Sequence, residues 1–247
     1  MGQSGCGKSS VINAILDEEA LLPCNCMEAC TAVAVEIAWN VSADTSEAYK
    51  CVVEFITVEE WKEELESLIA DVLSLDLGSR PNPLASDENV AAAKMKTVYP
   101  NLDLSSLIPD SAAELLNDDA VSGILGQQKV IKAAAGAGRY FASQIKPYID
   151  SSNSSANSDP RARNLKKVPY WPLIKVVKLY TKSEVLSTGL VLVDLPGSGD
   201  SNVARAVVAE QYMQSVAAIC IFADIKRALT NSVEYEISAI NTQRIRQ

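Results

Sequence analysis

Apolar positions along this chain recur with two periods. Val11, Ile12, Ile15 and Leu16 fall at helical spacing behind a glycine-rich run, Met1-Gly-Gln-Ser-Gly-Cys-Gly-Lys-Ser-Ser10, and predict a loop that opens directly into a helix. A loop is expected from Pro23 to Cys30. From Thr31 onward Val33, Val35, Ile37 and Trp39 alternate with other residues, which is the period of a strand. A polar turn over 40–48 precedes a returning strand, Cys51 to Ile56. Thr57-Val-Glu-Glu60 has the spacing of a capping box, a hydroxyl and a carboxylate placed to satisfy each other's backbone amides. It leads into Trp61, Leu65, Leu68, Ile69, Val72 and Leu73, one apolar stripe of a helix.

From Gly78 to about Val168 the pattern breaks into short Ala- and Leu-rich helical stretches interrupted by Pro81, Pro83, Pro100, Pro109 and Pro147. Residues 78–168 are therefore read as a helical insertion, with a disordered Ser/Asn-rich exit near 150–160. Regular patterning resumes with Pro172 to Tyr180. Gly189-Leu-Val-Leu-Val-Asp-Leu-Pro-Gly197 reads as a buried strand ending in a tight turn. A helix over Val203–Gln214, an apolar strand over Ala217–Ala223 and a last helix near Glu234–Ile245 complete the reading.

Composition narrows the options. The 247 residues, 48% hydrophobic, suit one large domain carrying an insertion. The longest apolar run, Val216 to Ala223, falls far short of the about 18 residues a membrane-spanning helix needs. With 22 Lys+Arg against 31 Asp+Glu and a net charge of -9, the surface is a poor match for nucleic-acid phosphates or anionic lipid. The absence of histidine removes Ser-His-Asp triads, Cys-His dyads and His-ligated zinc. Six cysteines in a chain of this size read as reduced thiols. No basic-then-apolar segment opens the sequence, so an intracellular location, cytoplasmic or nuclear, is expected.

The chemistry concentrates in two places. Gly2-x-x-x-x-Gly7-Lys8-Ser9 fits the phosphate-binding loop. Its glycines let successive backbone N–H groups turn toward phosphate oxygens, so that Ser4, Gly5, Cys6, Gly7 and Ser10 are candidate nucleotide-binding positions. Lys8 supplies a positive charge for the β- and γ-phosphates. Ser9 offers a hydroxyl to Mg²⁺, at the positive end of the helix that begins there. The second place is Asp194-Leu-Pro-Gly197, at the carboxyl end of an apolar strand. Asp194 can hold Mg²⁺ through water, and the Gly197 amide can approach a γ-phosphate. Asp-x-x-Gly is the form GTPases use. A third Mg²⁺ ligand from the segment between the first helix and the next strand is then required, and Thr31 is the candidate.

These residues carry a family resemblance. Gly2 to Leu16, the Leu21-Leu-Pro…Ala29-Cys-Thr31 segment, and Val185 to Asn202 with its Asp-Leu-Pro-Gly are similar to the dynamin-type large GTPases, closest to the branch that includes the nuclear GTPase SLIP-GC. The resemblance covers residues 1–77 and about 169–235. It implies a Ras-like G domain of three-layer α/β P-loop NTPase architecture with a mostly parallel sheet, residues 1–77 and 169–247 forming that domain around the insertion. It also implies GTP and Mg²⁺ as ligands, hydrolysis of GTP to GDP and phosphate, and nucleotide-dependent homodimerisation.

The sequence departs from the family pattern at three points. Anchored on Gly7-Lys8-Ser9, the Gln-Ser pair that dynamin places ahead of its Ala-Gly-Lys-Ser falls on Ser4 and Gly5, and no glutamine follows Gly197, so no residue is assigned to orient the attacking water. The base-reading Asn/Thr-Lys-x-Asp expected after the next strand is not in the sequence. Thr181-Lys-Ser-Glu184 resembles it but lies between the loop and Asp194, out of order. Only Met1 precedes Gly2, where a central strand is expected, so the chain reads as truncated at both ends. Two rivals to GTP hydrolysis follow: a nucleotide-gated interaction module with little turnover, and an inactive fragment. Cys24, Cys26 and Cys30 read as incidental thiols, and Arg161, Arg163, Lys166 and Lys167 as a solvated basic linker.

Overall fold

The computed structural model describes residues 2, 5–24, 31–74, 90–150, 171–197, 212 and 215–223. The first helix, α1, runs Lys8–Ile15, directly from the glycine-rich loop. Strand β1 (Val35–Trp39) and strand β2 (Tyr49–Phe55) alternate buried with partly exposed residues, as their sequences predict. The capping box forms: the Thr57 hydroxyl accepts from the Glu60 amide at 3.1 Å while the Glu60 carboxylate accepts from the Thr57 amide at 2.9 Å. It starts α2 (Val58–Leu73), which buries Trp61, Leu65, Leu68, Ile69 and Val72 on one stripe. Then come α3 (Val90–Val98), α4 (Ser111–Leu116), α5 (Asp119–Ser122), strand β3 (Gln128–Ala133) and α6 (Gly138–Ile149). Strand β4 (Ile174–Thr181) and strand β5 (Leu192–Asp194) follow.

The five strands form one sheet in the order β3-β2-β4-β1-β5. Only β1 and β4 run parallel; β1–β5, β2–β3 and β2–β4 are antiparallel, so the expected mostly parallel sheet is corrected to a mixed, mostly antiparallel one. The connections explain it. A parallel neighbour needs a crossover of about a dozen residues or more, usually a helix. The turn between β1 and β2 and the link between β4 and β5 carry only single 3-10 turns, and each returns the chain in the opposite direction. Residues 128–133, read from the sequence within a helical stretch, instead add the edge strand β3 to the sheet.

Alternation along the strands decides where the core sits. Val35, Ile37, Cys51, Val53, Val177 and Leu179 enter one cluster with Ile12 and Leu16 of α1, Trp61 and Leu65 of α2, Met95 of α3 and Phe141 and Ile145 of α6. The other face carries Glu36, Lys50, Glu54 and Lys178, with Lys178 paired to Glu54 at 2.8 Å. There the described residues contribute a small second cluster of Ala34, Leu195, Val193 and Tyr212. Helices α1, α2, α3 and α6 thus cover one sheet face, while Tyr212 packs on the other. The helices expected at Val203–Gln214 (apart from Tyr212) and Glu234–Ile245, and the Ser/Asn-rich exit, lie outside the described residues. Ala217–Ala223 forms no extended strand; Phe222 makes one parallel bridge to Gly2.

Candidate functional site

The loop before α1 is shaped by backbone that side chains disfavour. Gly7 caps the helix at φ 91°, in the left-handed region where a Cβ is strained. Nothing lies within 4 Å of where that Cβ would stand, so conformation, not space, requires glycine there. Gly2 is glycine for a different reason: an added Cβ would sit 2.2 Å from the Phe222 carbonyl oxygen. Gly5 and Ser10 are exposed, Cys6 is partly buried, and Ser4 lies outside the described residues. Lys8, 9% exposed, donates from Nζ to the Gly2 carbonyl at 2.9 Å and so reaches back over the loop that precedes it.

Ser9, one residue into α1, donates to Asp194 Oδ2 at 2.6 Å, and Thr31 donates to the same oxygen at 3.2 Å. The two hydroxyls lie 3.3 Å apart. Three elements distant in sequence thus converge: the first turn of α1, the residue that leads toward β1, and the carboxyl end of β5. Gly197, three residues beyond Asp194, is buried.

Asp194 is 1% exposed, and its Oδ1 is buried with no hydrogen-bond partner. Burial pushes its carboxyl above the ordinary aspartate range, against the opposing pull of the Ser9 hydrogen bond, the Lys8 charge and the Thr31 hydrogen bond. A carboxylate in that position is costly unless a cation compensates it. Two hydroxyls and a carboxylate are an all-oxygen donor set, which suits a hard ion such as Mg²⁺. The orphaned Oδ1 and the donor chemistry therefore fit the ion that the sequence implied.

Other placements bear on the sequence reading. Thr181 pairs with Trp39, whereas Asp194 pairs with Val35 at the opposite end of β1, so Thr181–Glu184 lies away from the site. Cys24 is an exposed thiol outside any disulfide, and no group of three or more Cys, Asp and Glu side chains placed to hold a metal occurs among the described residues. Cys26, Cys30 and the basic cluster at 161–167 lie outside the described residues. Two features were missed. Thr31 forms an antiparallel bridge with Asp150, and the Ala32 amide donates to the Ile149 carbonyl at 2.9 Å, so the end of α6 holds the threonine segment. Tyr212 donates to Glu36 at 2.9 Å on the outer sheet face. Neither contact has a sequence signal, because both join positions far apart in the chain.

A loop built for phosphate, feeding a helix whose first hydroxyl meets a strand-end aspartate, is the arrangement of a nucleotide-binding α/β domain. The Dynamin family description matches residues 1–241, and the chain belongs to the dynamin family as a GTPase domain of that family. Among characterised relatives, the nuclear GTPase SLIP-GC of Homo sapiens is 29% identical over 231 residues, covering 92% of this chain and 27% of the relative. The nuclear GTPase SLIP-GC of Mus musculus is 28% identical over 236 residues, with the same coverage of 92% and 27%. The chain thus spans 27% of the length of these relatives. Two solved structures of an oligomerised bacterial dynamin pair, described as sensing and tethering membranes at long range, also align with it. One has a TM-score of 0.40 at 22% identity, covering 86% of this chain and 20% of the other. The second has a TM-score of 0.44 at 17% identity, covering 94% and 27%. No helix among the described residues is long and apolar enough to cross a membrane.

Proposed function

We propose that this chain binds GTP with Mg²⁺ and that the protein containing it hydrolyses GTP to GDP and phosphate. The observation that supports the reading is the meeting of Ser9 and Thr31 on Asp194 Oδ2, whose fellow oxygen Oδ1 is buried without a partner, beside the lysine loop. Lys8 and the loop amides at Gly5, Cys6, Gly7, Ser9 and Ser10 bind the phosphates, and Ser4 is assigned to the same role from the sequence motif alone. Ser9 and Thr31 hold the Mg²⁺, Asp194 holds it through water, and Gly197 approaches the γ-phosphate with its amide. When bound, the ion neutralises charge on the β- and γ-phosphate oxygens. Lys8 stabilises that charge from the protein side. Stabilising charge and fixing position supply most of the rate in phosphoryl transfer, so this group is placed in a productive role.

The choice of GTP over ATP rests on family membership and on the Asp-x-x-Gly form of the second motif. Replacing Lys8 by Ala removes charge-assisted hydrogen bonds to phosphate and is expected to weaken GTP binding about tenfold to a hundredfold. Calorimetric titration with GTP, GDP and ATP in Mg²⁺ measures it, and unchanged affinity in Lys8→Ala would falsify the assignment.

The sequence Gly197-Ser-Gly-Asp-Ser-Asn202 has no glutamine to orient water, and this favours a second reading, a nucleotide-gated dimerisation module with little turnover. Dimerisation driven by a non-hydrolysable GTP analogue, with phosphate release at the background rate, distinguishes it. A nuclear location follows the same relatives and is tested by imaging the tagged protein.

A further inference from the structure

Helix α6 ends inside the protein, and the last carbonyls of a helix have no amide of that helix to receive. Asp150 leaves the helix in extended backbone, φ -97° and ψ 127°, while its own amide still donates to the Lys146 carbonyl at 2.9 Å. The carbonyl of Ile149, a residue 0% exposed, needs a donor from elsewhere. The Ala32 amide, on a residue 2% exposed, supplies it at 2.9 Å. An orphaned donor and acceptor at that depth are both costly, so neither side gives up the bond without loss. The peptide that makes this bond joins Thr31 to Ala32, and its plane includes the Thr31 Cα. The bond therefore fixes the carbon next to the one that carries the hydroxyl, and it sets Thr31 opposite Asp150 in their antiparallel bridge. From Ala32 the chain runs directly into the sheet. The Ala34 carbonyl accepts from the Val177 amide at 3.1 Å, and Val35 pairs with Asp194. Thr31 thus stands between the end of α6 and the strand pair that carries the carboxylate, and from there its hydroxyl reaches Asp194 Oδ2.

We propose that the end of α6, through the main-chain carbonyl of Ile149, positions Thr31 as a ligand to the ion. This rests on the reading that Ser9 and Thr31 hold Mg²⁺. The carbonyl is itself held by the core, because Phe141, Ile145 and Ile149 of α6 are all buried. The role belongs to backbone and not to a side chain, so no residue type at position 149 announces it. Without the bond, Thr31 moves relative to Ser9 and Asp194 while the lysine loop is untouched. The ion then loses one oxygen, whereas the phosphates keep Lys8 and the loop amides. The alternative, a bond that merely stabilises the fold, predicts lower stability with the Mg²⁺ requirement unchanged.

The test deletes this one donor. Lactic acid in place of Ala32 exchanges the amide for an ester oxygen and keeps the methyl side chain. Phenyllactic acid in place of Phe141 is the control, because it removes a bond of the same 2.9 Å length inside α6, from the Phe141 amide to the Ala137 carbonyl. Binding of a fluorescent non-hydrolysable GTP analogue is followed while Mg²⁺ is titrated, and again in EDTA. The Ala32 ester is expected to raise the Mg²⁺ concentration at half-saturation about tenfold, with affinity in EDTA held within about twofold. The Phe141 ester is expected to move that midpoint by less than about twofold. An unchanged midpoint in the Ala32 ester, an equal shift in both esters, or a loss of affinity that is the same with and without Mg²⁺ overturns the proposal. If the unmodified chain shows no Mg²⁺-dependent binding of the analogue, the underlying GTP reading fails, and that result is read before either ester is made. Hydrogen exchange on the unmodified chain gives a second measurement that does not depend on the esters folding. The Ala32 amide is expected to be as strongly protected as the amides inside α6, and rapid exchange there also overturns the proposal.

Discussion

Asp194 couples function to instability. Its carboxyl is raised above the ordinary 3.8 chiefly by burial, so the ligand-free fold holds a proton there more tightly than the unfolded chain does. By linkage, the contribution favours the fold at low pH and is lost as pH rises through the raised value. At neutral pH the buried charge is a net cost that a cation offsets. Asp194→Asn is therefore expected to raise the melting temperature of the ligand-free chain by a few degrees at pH 7. That gain should shrink toward zero as the pH is lowered to the ordinary aspartate range, as measured by thermal unfolding across pH. The same variant is expected to lose about tenfold or more in Mg²⁺-dependent GTP affinity, the trade expected of a strained site. Lys8, Ser9, Thr31 and Asp194 were all legible as candidates because each belongs to a motif or adjoins one.

Elements show which sequence signals are local and which are not. The capping box and the α2 stripe need only neighbours within a few residues; the box formed as read, and so did the stripe apart from Leu73, which the structure leaves exposed. Strand β3 did not announce itself, because an edge strand buries little: its positions are mostly exposed, with Val130 at 49%. The alternation at Glu36, Lys50, Glu54 and Lys178 marks one solvated sheet face, on the parallel pair β1–β4 as well as on β2, and so does not by itself fix strand direction. Helix α2 is tied to its neighbours by a buried relay. Trp61 Nε1 donates to the Tyr99 hydroxyl at 3.1 Å, which donates to the Leu115 carbonyl at 3.0 Å. Burial lifts the Tyr99 phenol to about 12. Tyr99→Phe leaves the indole donor and the carbonyl without this partner. It is expected to cost about 1–3 kcal/mol in urea unfolding, with nucleotide affinity unchanged.

For the molecule as a whole, α6 is the brace of the layer that carries the site. At one end Arg139 pairs with Glu19, beyond α1; along its length Phe141 packs 5.5 Å from Tyr49 of β2; at the other end Ile149 and Asp150 hold Ala32 and Thr31. Phe141 is 1% exposed, so Phe141→Ala is expected to cost about 3–5 kcal/mol of unfolding free energy by chemical denaturation. The brace is drawn from the stretch that the sequence offered only as an insertion, since its contacts reach back more than a hundred positions to the segment that follows the first helix.

The hydroxyl of Ser9 and the carboxylate it meets are 185 positions apart in the chain. During synthesis the lysine loop emerges first, and at about 5–20 residues per second it waits many seconds for its acidic counterpart. Until then Ser9 has no carboxylate to meet. If the proposed site is right, a chain cut before β5 is expected to lose Mg²⁺-dependent binding of GTP, as measured by titration of the shortened product.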